Sequence, residues 1–193
     1  MQNGLVLRFV VAASVIAAAV GSGAPASAEA VAPPPAPKKV VISQGMTFVG
    51  INEEVARKAG YEVMYDETGE ATGVRRPGEP FSAFGYSKVP GDCGYSEIMF
   101  NGMGGQQAYL WTAFYTNDVS VAYYWKVDIQ DSRGYSNHTW SGSNFDHDWE
   151  AEKYLSNLGK GGAVAAVNQT SSVITVWGGV CVSGGPITTT TIW

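Results

Sequence analysis

The chain has 193 residues, enough for one domain of ordinary size, and 15% of them are charged. Asp and Glu number 17 against 12 Lys and Arg, which gives a formal net charge of −5 without any strongly basic cluster. This mildly acidic balance argues against nucleic acid and anionic membranes as partners.

The first 28 residues have the pattern of a secretory signal peptide. Arg8 is their single charged residue, residues 9–20 form an apolar run, and residues 26–28 (Ala-Ser-Ala) fit the small-x-small cleavage rule. The apolar run is too short for a membrane span, which needs about 20 residues. We therefore expect a secreted protein with no membrane span after cleavage; a retained N-terminal anchor is the alternative.

Cleavage after residue 28 would leave 165 residues (193 − 28) and a net charge of −6 (11 basic against 17 acidic). The next stretch, residues 29–39, is rich in Ala and Pro and predicts a disordered spacer. The remaining chain has few charges, and aromatic residues make up 12% of the whole sequence. Such a composition is typical of extracellular β-proteins.

Cys93 and Cys181 are the only two cysteines. In an oxidising compartment two cysteines pair by default, so we expect one disulfide that closes an 88-residue loop (181 − 93). Nearly all of the strand-like, aromatic-rich sequence lies between them. The expected architecture is therefore a disulfide-linked β-domain over residues 91–193.

Residues 40–80 predict a small α+β segment, followed by a Gly/Pro-rich linker over residues 81–90. Asn52 is suited to cap a short helix with acidic residues in its first turn, basic residues in its last turn and Gly60 after its end. Residues 61–76 alternate around a turn and predict a hairpin. The sequence leaves open whether this segment is a subdomain or an appendage.

The β-domain is expected to be an antiparallel sandwich, because its pattern has a period of two with turn residues between short strands. Residues 119–129 give the clearest alternation, with Trp125 on the apolar face and Tyr124 on the polar face. The candidate strands cover residues 96–100, 107–115, 119–129, 135–140, 145–154, 163–168, 172–182 and 187–192. Residues 148–158 also fit a helical period loosely, but strand is favoured because the neighbouring segments are strands.

The densest polar cluster is Asp146, Asp148 and Glu150, which fall on one face if the segment is a strand. Three carboxylates on one face suit Ca²⁺, and two suit the acid and base of a glycoside hydrolase. A solvated strand face is the ordinary interpretation, and no Asp-x-Asp-x-Asp-Gly loop is present. We therefore expect no cofactor, with calcium as the alternative to test.

Aromatic side chains are the stronger indication of function. Six Trp and ten Tyr are many for this length, and four of these residues lie on polar faces or near turns: Tyr124, Tyr135, Trp140 and Trp177. Exposed rings on a β-face offer flat apolar surfaces to sugar rings, although aromatics also fill sandwich cores. These four residues are the predicted binding residues.

Two segments resemble a group of small uncharacterised secreted proteins of Gram-positive bacteria. They are residues 91–94 (Gly-Asp-Cys-Gly) and residues 179–186, which contain the second cysteine and precede a Thr-rich end. The resemblance covers about residues 91–193. It implies localisation and fold class, and it brings no activity or site.

The sequence thus favours a secreted non-catalytic binding or surface module for glycan or cell-envelope material. One alternative is a secreted hydrolase that uses the carboxylates of residues 146–150. Another is a structural or interaction protein of the envelope, whose partner is a protein.

Overall fold

A computed structural model of the protein describes residues 40–78 and 91–193. The predicted signal peptide (1–28), spacer (29–39) and linker (81–90) lie outside the described residues. The described residues form one helix, α1 (Glu53–Lys58), and the following strands. They are β1 (Ile42–Gly45), β2 (Thr47–Ile51), β3 (Glu62–Tyr65), β4 (Ala71–Arg75), β5 (Gly94–Met103), β6 (Gln107–Thr116), β7 (Ser120–Asp131), β8 (Gly134–Gly142), β9 (Asp148–Leu155), β10 (Gly161–Val167), β11 (Ser172–Thr175), β12 (Gly179–Val182) and β13 (Ile187–Ile192).

These strands pair antiparallel in three sheets, which confirms the predicted mainly β fold. The first sheet has the order β1-β5-β6-β9, and β3 and β4 form a separate hairpin. The second sheet has the order β13-β10-β7-β11-β12-β2, with β8 also paired to β7. One edge of β7 carries β8, while its other edge is shared by β11 near the start and β10 near the end. Because β10 and β11 pair with different parts of the same edge of β7, the second sheet can curl.

The core lies between the two large sheets, as expected for a sandwich. Trp125, on β7, is fully buried, and its ring centroid lies 5.2 Å from that of Phe114, on β6. Successive β7 side chains alternate between this core and the outer face, as the period of two predicts. The core is completed by other buried side chains from both sheets, among them Ile98, Phe100, Leu110, Val127, Ile129 and Val173.

The two sheets approach closely where β5 crosses β13. The backbone nitrogen of Gly102 donates a hydrogen bond to Thr190 Oγ1 at 2.8 Å. A Cβ atom at Gly102 would lie 2.0 Å from the carbonyl oxygen of Thr191, so only glycine permits this approach. The sheets are therefore joined along this side as well as through the core.

Strands β1 and β2 belong to different sheets, although a single residue, Met46, separates them. β1 pairs with β5 and β2 pairs with β12, so the start of the described chain is an integral part of both large sheets. The disulfide joins Cys93, just before β5, to Cys181, on β12, which confirms the predicted pairing. It links the first sheet to the second.

The predicted helix and hairpin are both present. Val55 donates its backbone N–H to the side chain of Asn52 at 3.1 Å, as the predicted N-cap requires. The six-residue α1 is the one described helix, and no helix in residues 40–78 and 91–193 is long and apolar enough to cross a membrane.

The single strand predicted over residues 172–182 is wrong, because the chain turns after Thr175 and returns as β12. At this turn Gly178 has a φ of +90°, which few residues other than glycine adopt. Its backbone nitrogen donates to the carbonyl oxygen of Thr175 at 2.9 Å. The turn-favouring pair Gly178-Gly179 marks this turn in the sequence, inside a run of apolar and β-branched residues that otherwise fits one continuous strand.

Candidate binding face

The outer surface of the first sheet carries aromatic and acidic side chains side by side. We call it the β5–β6–β9 face, after the three strands that supply it. Alternate residues of these strands point away from the core, and the register aligns them in four rows across the sheet. The rows are Tyr95, Tyr115 and Asp148; Glu97, Ala113 and Glu150; Met99, Trp111 and Glu152; and Asn101, Tyr109 and Tyr154.

Two neighbouring depressions lie on this face. The first has a volume of about 300 Å³ and lies where the small Ala113 separates Glu97 from Glu150. The second has a volume of about 400 Å³ and is lined by Glu150, Glu152 and Tyr109 among others. Trp111 and Glu150 line both depressions. The volumes are at the lower end of those found for small-molecule sites.

Hydrogen bonds to the carboxylates fix the two central rings. Trp111 donates its indole N–H to Glu150 Oε2 at 3.0 Å, and Tyr109 donates its hydroxyl to Glu152 Oε2 at 2.7 Å. The bond to the Glu152 carboxylate raises the pKa of Tyr109 to about 12, because ionising the phenol would remove the donated proton and place two anions together. The side chains of Trp111 and Tyr109 are therefore fixed in position before any ligand binds.

Tyrosine rings pack against one another at both ends of the face. The ring centroids of Tyr95 and Tyr115 lie 5.3 Å apart, and the two rings are nearly parallel. The ring of His147 also stacks on Tyr115, with 6.1 Å between the ring centroids. At the opposite end the rings of Tyr109 and Tyr154 lie 5.2 Å apart. These contacts restrict the rotamers of the exposed rings and lower the entropy that binding must remove.

The link between Tyr109 and Glu152 predicts a tyrosine that titrates unusually late. We expect Tyr109 to ionise near pH 12 in the native protein, and Glu152→Ala to bring its pKa back towards 10.0. NMR titration of ring-labelled tyrosine, with Tyr109→Phe to assign the signal, measures this pKa directly. Glu150→Ala is the matched control and should change the pKa of Tyr109 much less. Equal pKa values in the wild type and Glu152→Ala would contradict the contact.

Two of the predicted binding residues, Tyr124 and Tyr135, lie on the outer face of the second sheet. Tyr135 is 61% exposed and pairs with Gln130, six positions along β7 from Tyr124. Their backbone positions are therefore roughly 20 Å apart along the sheet, at about 3.4 Å per residue. The hydroxyl of Tyr135 donates to Asp128. The two tyrosines share this face but are not neighbours on it.

The other two predicted binding residues point towards the core. Trp177 is 3% exposed, so the prediction that it lies on an exposed surface is wrong. It packs on Phe48 and donates its indole N–H to Asp118 Oδ2 at 2.8 Å. Trp140 is half-buried opposite Trp125, on the inner side of β8, with its ring 6.0 Å from Trp149.

The predicted carboxylate cluster is divided. Asp148 and Glu150 share the β5–β6–β9 face, but Asp146 precedes β9, and its side chain accepts the backbone N–H of His147 at 2.7 Å. In the described part of the chain, no three His, Cys, Asp or Glu side chains lie close enough to hold a metal ion. The third carboxylate of the first depression is instead Glu97.

The aromatic residues of this face are not among the four binding residues that the sequence predicts. In β6 both faces mix apolar or aromatic residues with polar ones, since Gln107 lies on the outer face and Thr112 and Thr116 on the inner face, so the period of two does not show which face is buried. The polar ends of Trp111 and Tyr109 were the one available signal.

In comparisons with protein-family models, curated proteins and solved structures, nothing matches this chain.

Proposed function

We propose that the protein is a secreted, non-catalytic binding module for extracellular glycan or cell-envelope material, and that the β5–β6–β9 face is its ligand site. The observation that carries this proposal is the position of Trp111, whose side chain lines both depressions on the outer face of the first sheet. A chain-like ligand with consecutive similar units would fill both.

The chemistry of the face suits sugars. Aromatic rings pack against the apolar C–H faces of sugar rings, and the neighbouring carboxylate oxygens accept hydrogen bonds from hydroxyl groups. Contiguous exposed apolar surface on a folded protein marks an interaction site more often than not. Hydrogen bonds to Glu150 and Glu152 already fix Trp111 and Tyr109, so binding costs little side-chain conformational entropy at these two residues.

An extracellular location is supported by two features. The pattern of residues 1–28 is that of a secretory signal, and the Cys93–Cys181 disulfide is compatible with an oxidising compartment. The resemblance to secreted proteins of Gram-positive bacteria agrees with this location.

Trp111→Ala is expected to abolish most of the binding to the ligand. Removing a central tryptophan from a binding site weakens affinity by roughly ten- to thirty-fold. The measurement is a pull-down of residues 29–193 on insoluble polysaccharides and purified bacterial cell wall, followed by titration on whichever binds.

Tyr124→Ala is the matched control, because that ring is also exposed but lies on the second sheet. It should bind like the wild type. Loss of binding in Tyr124→Ala with full binding in Trp111→Ala would move the site to the second sheet. No binding by the wild type to any of these materials would reject the proposal and favour a protein partner.

A second candidate function, a glycoside hydrolase, is favoured by one specific observation. Glu97, Asp148 and Glu150 line the same depression, with Ala113 between the two glutamates. The Cα atoms of Glu97 and Glu150 are two strand spacings apart, about 10 Å, which lets their carboxyl groups flank a glycosidic bond. Release of reducing ends in the same incubations, lost in Glu97→Gln and Glu150→Gln, would establish this activity.

A further inference from the structure

The β5–β6–β9 face has charges of one sign only. Four of its twelve aligned positions are carboxylates, namely Glu97, Asp148, Glu150 and Glu152, and none is Lys, Arg or His. In residues 40–78 and 91–193, none of the four lies within ion-pair distance of a basic side chain. Like charges held this close repel one another, so the face favours a cationic ligand.

The carboxylates are placed to meet cations at both depressions. Glu97 and Glu150 flank the first, and Glu150 and Glu152 line the second. Trp111, between them, offers a ring face to which a cation is attracted by the ring quadrupole. Each depression thus combines an apolar surface for a ring with an anion at its side, and the two depressions repeat this arrangement.

Neutral sugars would use the aromatic rings but would leave the four carboxylates without countercharges. A sugar with a protonated amino group satisfies both features, because its ring packs on Trp111 while its ammonium group pairs with a carboxylate. Resting on the proposed function, we infer that the β5–β6–β9 face binds a polysaccharide whose sugars carry free, protonated amino groups. A basic peptide would also pair with the carboxylates, but two adjacent depressions beside the flat ring of Trp111 fit consecutive sugar rings better.

The test compares two ligands with one backbone. Glucosamine oligomers and their fully N-acetylated counterparts are titrated calorimetrically against the wild type and the Glu97→Gln/Glu150→Gln variant. Glutamine keeps the shape and the acceptor for the Trp111 indole N–H. The wild type should bind the amine form roughly ten-fold tighter, because several partly exposed ion pairs act together, and added salt should weaken it.

The double variant should lose this preference, while Glu54→Gln/Glu67→Gln, which removes two exposed charges outside the face, should keep it. Melting curves establish that each variant is folded. Equal affinity of the wild type for both oligomers, or a preference that survives in Glu97→Gln/Glu150→Gln, overturns the inference. Tighter binding to oligolysine than to glucosamine oligomers would identify a basic peptide as the ligand instead.

The outcomes separate this inference from the proposed function. Binding to acetylated oligomers or cell wall without any gain from free amines rejects the amine preference and leaves the glycan module standing. Failure to bind every polysaccharide, free or acetylated, rejects both.

Discussion

Replacing both Cys93 and Cys181 by alanine is expected to lower the free energy of unfolding by about 4–5 kcal/mol. The disulfide closes an 88-residue loop, and without it the unfolded chain gains the conformational entropy that the cross-link removes. Both cysteines are buried, so the lost sulfur contacts add to this effect. For a domain of this size the melting temperature should fall by roughly 10–20 °C.

Urea denaturation of the oxidised wild type, the reduced wild type and the double variant measures the effect. The reduced wild type and the double variant should have free energies of unfolding that agree within about 1 kcal/mol if the loss comes from the cross-link. An unchanged midpoint after reduction, with complete reduction verified by mass spectrometry, would show that the disulfide does not stabilise the fold.

Trp125→Ala is expected to cost about 3–5 kcal/mol, the range for removing a large aromatic side chain from a core. Trp125 is 0% exposed and is the largest fully buried side chain among the described residues. It contacts Phe114 and Trp149, and its indole N–H donates to Thr112 Oγ1 at 2.9 Å. Its removal therefore opens a cavity between the sheets and leaves that hydroxyl with one partner fewer.

Two comparison variants make the Trp125 experiment specific. Trp125→Phe keeps much of the volume and should cost less than alanine, while Trp140→Ala, at a half-buried position, should also cost less. Chemical denaturation followed by far-ultraviolet circular dichroism gives each free energy. A loss below about 1 kcal/mol for Trp125→Ala would contradict its central place in the core.

Local sequence patterns predicted most of the secondary structure. The alternation of residues 119–129 correctly predicted strand β7 and its buried face. Asn52, followed by acidic and then basic residues, correctly predicted α1. The patterns failed where the decisive contact is distant. β1, over Ile42–Gly45, has no strong alternation and exists because β5 pairs with it. The turn at Gly178 is set by packing near Asn52, 126 residues earlier (178 − 52).

The candidate site was only partly predictable for the same reason. Placing Asp148 and Glu150 on one face needs only the period of two, and that prediction is confirmed. Placing Glu97 beside them needs the register of β5 on β6 and of β6 on β9, which a single sequence does not contain. The depression at Ala113 likewise depends on which residues of neighbouring strands stand opposite one another.

The pairing of β2 has a consequence for the order in which the chain folds. Phe48 of β2 stands opposite Cys181 of β12, a separation of 133 residues (181 − 48), and β1 must wait for β5. During synthesis from the N-terminus, β1 therefore stays unpaired until β5 has been made, and β2 stays unpaired until β12, near the end of the chain, has been made. Such non-local pairing slows folding and leaves strand edges open to wrong partners. The hairpins β5–β6 and β7–β8, which close locally, are then expected to form first, with β2 completing the second sheet last.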